Sequence, residues 1–293
     1  MPNLQHLPQY ERHLTLAALA HCPRDYWYTD QVRRGLLDDE KSGDSLAVGI
    51  LVHYGLEALW KQRQGTALWT PSVALDVMDA KMGADLALAL LKDKGALVDE
   101  AKKAVLDYAE QWTGVRDHWR PVTVAPVADP PEPWTVLRGE FVSYPDLIIH
   151  AGPMYPTVVV DHKTSMWKFE ADKWEWHPEL LTQCLAAKQL EPNEPIFYMI
   201  DFLQRPGKRS NVWSFPATPI WEFTERKVEA AREWMRHLIE RRDEYRIQQY
   251  EGRETEGGLA IERVELPWPQ ELSQCQTPWG LCRWYKRCFG DAA

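Results

Sequence analysis

Apolar residues recur at helical spacing through most of the first third of the chain. The pattern is clearest between Asp44 and Arg63, where Leu46, Ile50 and Trp60 lie on one side of a 3.6-residue period. The same criterion predicts three further helical segments, at 9–21, 71–94 and 97–118. We therefore expect residues 1–120 to be mainly α-helical.

A proline-rich connection from Pro121 to Pro133 separates this helical part from a region with the hydrophobic pattern of strands. The runs 146–150 and 157–163 are joined by the short segment AGPMYP, which suits a β-hairpin. The remaining predicted elements are strands at 135–142, 196–203 and 212–215 and helices at 177–190 and 222–249. This order of elements predicts a mixed α/β core.

The overall charge of the chain is acidic. Its 293 residues include 34 Lys and Arg against 43 Asp and Glu, for a net charge of −9. This charge excludes a protein held to nucleic acid by bulk positive charge, but it leaves room for a local basic groove. The longest uncharged apolar run, Leu46 to Leu56, is about half the length of a membrane span, and the N-terminus lacks the features of a secretory signal. We expect a cytoplasmic protein without a membrane partner.

The most distinctive chemistry lies in the predicted hairpin. Alternate side chains of a strand face the same way, so Asp161 and Lys163 share one face and His162 takes the other. Three valines before Asp161 indicate a strand buried on both faces, and Asp146 begins the partner strand. Two carboxylates can hold Mg²⁺, and a nearby lysine can orient a nucleophile. A surface hairpin with a solvated D-H-K end is the alternative interpretation.

These residues resemble the PD-(D/E)XK nuclease superfamily. Pro145 and Asp146 supply its P-D element, and the sequence D-H-K at 161–163 supplies its D-x-K element after an apolar strand. The continuation Thr164-Ser165 is similar to the D-x-K-T-[SG] ending of the RecB-like branch. This resemblance implies a restriction-endonuclease-like fold, with a mixed central sheet flanked by helices.

Two further positions are similar to the RecB-like branch. The segment from Gly49 to Glu57 matches the pattern G-x-x-x-H-x-x-L-E, which implies that His53 is a metal ligand. Gln183 lies where the branch has Q-x-x-x-Y, although Ala187 replaces the tyrosine. A second uncertain carboxylate, Glu140, is more simply an outward-facing strand residue.

The resemblance implies a role for each of these residues. The side chains of His53, Asp146 and Asp161 would hold Mg²⁺ or Mn²⁺, with the Val160 or His162 main chain as a further candidate ligand. Lys163 would assist the nucleophile, and Gln183 would complete the catalytic set.

The implied activity is hydrolysis of phosphodiester bonds in DNA, by an exonuclease more readily than by an endonuclease. The family acts on single strands or DNA ends in recombination, repair or phage DNA processing, where a helicase or recombination protein is a partner. One alternative is a catalytically weak DNA-binding or scaffold subunit of a helicase–nuclease assembly. Another is a zinc-stabilised binding protein without nuclease activity.

Four of the five cysteines lie near the ends of the chain: Cys22, Cys275, Cys282 and Cys288. Four thiolates can hold an iron–sulfur cluster or a tetrahedral zinc ion, and unrelated buried thiols are the simpler alternative. Some RecB-like nucleases, including the AddB nuclease domain and the CRISPR-associated adaptation nucleases, hold a 4Fe-4S cluster with one N-terminal and three C-terminal cysteines. The resemblance therefore implies such a cluster here, although the gap before Cys282 is longer than in that pattern. Cys184 remains as a core thiol.

Basic residues are clustered although the chain as a whole is acidic. Phosphate contacts require such local groups of positive charge. The candidate DNA-binding residues are Arg24, Arg205, Lys208, Arg209 and Arg283. Together, these observations predict one nuclease domain, 1–293, with a helical part at 1–120, a catalytic α/β core at 134–249 and an irregular cysteine-rich tail at 250–293 that closes on Cys22.

Overall fold

A computed structural model describes the chain in ten segments: 11–12, 44–65, 69–84, 94–124, 134–136, 141–143, 145–207, 212–255, 276–277 and 280–281. The chain divides into two compact units. The larger unit comprises residues 41–134 and 143–229, and the other comprises residues 1–40, 135–142 and 230–293.

The described helices are, in chain order, α1 (Asp44–Gly65), α2 (Pro71–Ala84), α3 (Lys94–Trp112), α4 (Ala171–Trp174), α5 (Pro178–Leu190) and α6 (Glu225–Thr255). The described strands are β1 (Glu11–Arg12), β2 (Arg120–Val124), β3 (Trp134–Val136), β4 (Phe141–Ser143), β5 (Leu147–His150), β6 (Thr157–Ser165), β7 (Ile196–Gln204), β8 (Trp221–Glu222), β9 (Gln276–Thr277) and β10 (Gly280–Leu281).

In the larger unit, α1 packs against both α2 and α3. Gly55 permits this close approach, because a Cβ atom there would lie only 2.5 Å from Val105 Cγ2 and 2.8 Å from Met78 Sδ. The predicted helices at the start of the chain are confirmed for α1 and for the first part of 71–94. The third helix ends at Trp112 rather than at 118, and a turn follows in which Gly114 has a φ of +80° that glycine adopts readily.

The larger unit is built on a five-stranded sheet of order β2-β5-β6-β7-β8. Strand β5 is antiparallel to β2 and β6, β6 is parallel to β7, and β7 is antiparallel to β8. Helix α5 connects the two parallel strands and packs on both, whereas α1 packs on β6 and β2. The side chains of Val158, Val159 and Val160 are completely buried. The predicted β5–β6 hairpin and the mixed sheet flanked by helices are therefore confirmed.

Two strands lie where the sequence predicted something else. The segment from Pro121 to Pro133 was predicted to be a connection, but its first residues belong to β2, at the edge of the sheet. A proline is tolerated on an edge strand because its missing N–H faces away from the ladder. At the opposite edge, residues 212–215 contribute only an isolated bridge between Ser214 and Gln204, and β8 takes the edge position instead.

A second sheet has the order β1-β4-β3, with β1 parallel to β4. The prediction of one strand at 135–142 was wrong, because β3 and β4 are separate strands. Residues 11–12 form β1 and not part of the helix predicted at 9–21, because they pair with β4. The helix predicted at 222–249 is confirmed as α6, although it begins at Glu225, after β8, and continues to Thr255. In the part of the chain that is described, no helix has the length and apolarity needed to cross a membrane.

Candidate active site

The site forms where β6 extends beyond the end of its neighbour. Strand β5 begins at Leu147, which pairs with Val160, so β6 continues past that strand at His162. The N–H of His162 donates to Asp146 Oδ2 at 2.9 Å, and its carbonyl oxygen lies 2.7 Å from His53 Nε2. Two predicted site residues thus occupy the strand edge that β5 leaves open.

His53 lies on α1 with both ring nitrogens facing oxygen atoms. Nδ1 is 2.9 Å from the carbonyl oxygen of Gly49, one turn earlier, and Nε2 is 3.3 Å from Asp146 Oδ2. Burial alone would lower the pKa of His53, but the Asp146 carboxylate raises it to about 9. Burial also opposes the ionisation of Asp146, yet the His53 charge holds the pKa of that carboxyl well below its usual range. Without a cation the two groups form an ion pair at neutral pH.

Asp161 and Lys163 project to the face of β6 that α5 covers. Asp161 Oδ1 accepts a hydrogen bond of 2.9 Å from Gln183 Nε2, and Lys163 Nζ lies 2.9 Å from Asp161 Oδ2 as an ion pair. Burial raises the pKa of Asp161 to about 6, against the effect of the Lys163 charge. The structure therefore brings three further predicted residues together, including Gln183.

Glu179 is a site residue that the sequence analysis missed. Lys163 Nζ donates to Glu179 Oε2 at 3.0 Å. Burial would lower the pKa of Lys163, but Asp161 and Glu179 together hold it well above its usual range, so the lysine stays a cation. The signal was present in the sequence, because Glu179 and Gln183 are four residues apart and so lie on the same face of α5.

The side chains in the two parts of the site differ in their access to solvent. Those of His53, Asp146 and Lys163 are 24%, 27% and 26% exposed, whereas that of Asp161 is 2% exposed. The charge of Asp146 nevertheless raises the pKa values of both Asp161 and Lys163, so the parts are electrostatically linked. A ligand from solvent would therefore reach His53, Asp146 and Lys163 before Asp161.

The donors at the strand edge fit a divalent cation. His53 Nε2, Asp146 Oδ2 and the His162 carbonyl oxygen converge within a few ångströms. The carboxylate and carbonyl oxygens suit Mn²⁺ or Mg²⁺, and the imidazole nitrogen is a further donor beside them. Among the described residues, no three His, Cys, Asp or Glu side chains are grouped closely enough to form a ready-made metal site. The convergence therefore combines two side chains with one main-chain oxygen, while Asp161 pairs with Lys163.

The other predicted residues do not gather at this site within the described segments. Arg205 donates from Nε and Nη2 to the two carboxylate oxygens of Glu100, at 2.8 and 2.7 Å, so its charge is paired within the protein. Cys184 is fully buried in α5. The positions that fall outside the described residues are Cys22, Arg24, Glu140, Lys208, Arg209, Cys275, Cys282, Arg283 and Cys288.

Comparison with known proteins gives one family. The sequence model of the PD-(D/E)XK nuclease superfamily matches residues 13–288, a range that contains every residue of the site described above. No curated protein matches the chain.

Proposed function

The chain belongs to the PD-(D/E)XK nuclease superfamily, which implies a metal-dependent nuclease, and from that premise we propose that it hydrolyses phosphodiester bonds in DNA with Mg²⁺ or Mn²⁺. The observation that carries the proposal is the convergence of His53, Asp146 and the His162 carbonyl oxygen at the end of β6. The mixed sheet that positions these groups is consistent with a restriction-endonuclease-like fold.

The side chains of His53, Asp146 and Asp161, with the His162 carbonyl oxygen, are the groups that would hold the cation. When bound, a divalent cation lowers the pKa of its water and stabilises charge on a phosphoryl oxygen. Because His53 is protonated at neutral pH without a cation, it must release a proton before Nε2 can act as a ligand.

Lys163 supplies a fixed positive charge beside the carboxylates. Its ammonium group is held between Asp161 and Glu179, which keep it protonated and restrict its position. A positioned cation can orient an attacking water and stabilise the charge that develops on the phosphate. Gln183 holds Oδ1 of Asp161, so it fixes the orientation of that carboxylate.

We further propose the RecB-like mode of action, on the basis of the sequence resemblance. In that mode the enzyme is an exonuclease that acts on single strands or DNA ends in recombination, repair or phage DNA processing, with a helicase or recombination protein as partner. Cys22, Cys275, Cys282 and Cys288 would hold a 4Fe-4S cluster that pins the C-terminal tail, with zinc as the alternative metal.

Digestion of 5′- and 3′-labelled DNA tests this function. Single- and double-stranded substrates are incubated with Mg²⁺, Mn²⁺ or EDTA. We expect metal-dependent products for the wild type and a loss of about 10²-fold or more for Lys163→Ala and for Asp161→Asn. The matched control is Lys103→Ala, which removes a lysine paired with Asp107 on the surface of α3.

Each result has a distinct meaning. Products shorten progressively from one labelled end if the enzyme is an exonuclease, whereas internal cuts appear at once with an endonuclease. Activity that survives Lys163→Ala would refute the catalytic assignment. Binding of DNA by the wild type without digestion in any metal would favour the scaffold subunit instead.

A further inference from the structure

The side chain of His162 lies on the face of β6 opposite Asp161 and Lys163, in a buried polar network. Strand register places His162 directly beside Asp201 of β7, and the two side chains point to the same face. His162 Nδ1 lies 3.3 Å from Asp201 Oδ2. His162 and Asp201 are 3% and 2% exposed, so the ring is surrounded by protein groups rather than by water.

Asp201 is in turn held by two residues from the helical part of the unit. Arg116 donates to both of its carboxylate oxygens, at 2.8 and 3.0 Å, and the Tyr108 hydroxyl donates to Oδ2 at 2.6 Å. Arg116 also donates to the Tyr108 hydroxyl oxygen at 3.0 Å. The three residues therefore form a closed network around one carboxylate.

The position of Arg116 is itself fixed by aromatic stacking. Its guanidinium carbon lies 3.5 Å from the ring centroid of Trp112 and 4.4 Å from that of Trp119. A guanidinium group held over aromatic faces has little freedom to turn. The network consequently links the end of α3 and the turn that follows it to the centre of the sheet.

Stability alone is a weak explanation for this arrangement. Apolar side chains of similar volume often stabilise a buried site as well as an ion pair does, because burying charges is costly. A carboxylate that accepts several hydrogen bonds differs from apolar packing in one respect: it permits only one arrangement of its donors. Nδ1 of His162 lies beside this carboxylate without a directed hydrogen bond, and the His162 ring packs edge-on against the Tyr108 ring, with centroids 6.3 Å apart, so the network orients the ring through packing and charge.

The peptide groups of His162 connect this network to the candidate cation site. Its N–H donates to Asp146, and its carbonyl oxygen faces His53 Nε2. We propose that Tyr108, Arg116 and Asp201 are positioning residues that fix the His162 ring on one face of the sheet, and thereby the His162 peptide and the donors that hold the cation. This inference rests on the proposed metal-dependent function, and it assigns a role to three residues that are not among the proposed cation ligands.

Two variants test the inference by binding rather than by activity. Tyr108→Phe removes one hydroxyl group and keeps the ring, and Asp201→Asn keeps the shape of the side chain. Mn²⁺ is titrated into each variant without DNA and followed by electron paramagnetic resonance, and the melting temperature is measured in EDTA. We expect the dissociation constant for Mn²⁺ to rise about tenfold in both variants, as for other residues that orient metal ligands.

Tyr198→Phe is the matched control. It removes another buried tyrosine hydroxyl from the same sheet, but that hydroxyl donates to the carbonyl oxygen of Glu175 and not to the network. We expect this variant to lose stability without a change in Mn²⁺ binding. The nuclease activity of Tyr108→Phe should recover when Mn²⁺ is raised to saturation, which a purely structural defect would not allow.

Failure of the inference can be told apart from failure of the proposed function. If the wild type binds Mn²⁺ and digests DNA while Tyr108→Phe binds Mn²⁺ equally well, the positioning role is refuted and the nuclease function stands. If the wild type neither binds Mn²⁺ nor digests DNA, the proposed function itself is refuted, and the inference falls with it. Should Asp201→Asn not fold because Arg116 is left unpaired, Tyr108→Phe alone decides.

Discussion

Glu179 gives Lys163 a second carboxylate partner, and this pairing defines the chemistry of the lysine. With Asp161 alone, the ammonium group would have one anchor and could rotate away from it. With Glu179 as well, Nζ is fixed between two oxygen atoms at 2.9 and 3.0 Å. The site thus contains a cation whose position and charge are both determined by its neighbours.

The variant Glu179→Gln tests this pairing. The amide keeps the size of the side chain but removes its charge, so Lys163 is held less firmly and the single-turnover rate should fall about tenfold or more at saturating Mn²⁺. Glu191→Gln is the control, because Glu191 follows the other end of α5. A Glu179→Gln rate equal to that of the wild type would show that Asp161 alone positions the lysine.

The raised pKa of His53 predicts how stability depends on pH without a cation. The pKa is about 9 in the folded protein against 6.5 in an unfolded chain. The stabilisation is therefore complete below pH 6.5 and is lost as the pH rises through about 9, by an amount on the order of 3 kcal/mol. The window lies above the pKa of Asp161, which is about 6, so that group does not interfere.

Chemical denaturation in EDTA measures this effect between pH 6.5 and about pH 10. In His53→Gln the side chain cannot titrate, so its stability should change less across the window. A wild type whose free energy of unfolding is constant over this range would contradict the assigned ion pair between His53 and Asp146.

At the scale of elements, the distance between α1 and its neighbours is set by Gly55. The helix carries His53 only two residues away, so a shift of α1 would also move a candidate ligand. Val105 and Met78 fill the space that a side chain at Gly55 would need. Close packing of these helices and the geometry of the site are therefore coupled.

Substitution of Gly55 by alanine should destabilise the protein, although alanine favours helices. The added Cβ overlaps Val105 and Met78, and such overpacking costs about 1–3 kcal/mol, more than the roughly 1 kcal/mol gained in helix propensity. The control is Gly95→Ala in α3, where no atom lies within 4 Å of the added Cβ. Thermal unfolding compares the two, and an unchanged or raised melting temperature for Gly55→Ala would contradict the packing argument.

For the whole molecule, the cysteines provide the sharpest test outside the described residues. If Cys22, Cys275, Cys282 and Cys288 hold a 4Fe-4S cluster, anaerobically purified protein should be brown and contain about four iron and four sulfide per chain. Cys282→Ser should lose the colour and the iron. Cys184→Ala is the control, since Cys184 is buried in α5. Colourless protein that contains zinc would establish the alternative metal.

The sequence predicted the features of the site that depend on local spacing. The alternation of a strand places Asp161 and Lys163 on one face, and the short AGPMYP connection returns the chain so that Asp146 comes near β6. The helical period and the family pattern identified His53 and Gln183. Each of these predictions rests on residues that are close in the chain or on a recognised motif.

The predictions from sequence were wrong for strands that form only because a partner strand lies beside them. The proline of β2 predicts a connection rather than a strand, and the two residues of β8 are too few to carry a periodic pattern. Both strands exist because a neighbouring strand offers hydrogen-bonding groups at that edge. The prediction of a single strand at 135–142 was wrong for the same reason. β3 and β4 are separate strands that pair with each other, and β4 also pairs with β1.

The sequence by itself determined helices α1, α5 and α6, the hairpin of β5 and β6, and the two faces of β6. Only the tertiary structure decided which groups meet: His53 faces His162 across 109 positions of the chain, and Arg116 reaches Asp201 across 85. Such contacts depend on strand register and helix docking, which no local pattern of polar and apolar residues specifies. That is why motifs could name His53, Asp146 and Lys163 as candidates, whereas the pairing of Glu179 with Lys163 and the network around Asp201 emerge only from the folded chain.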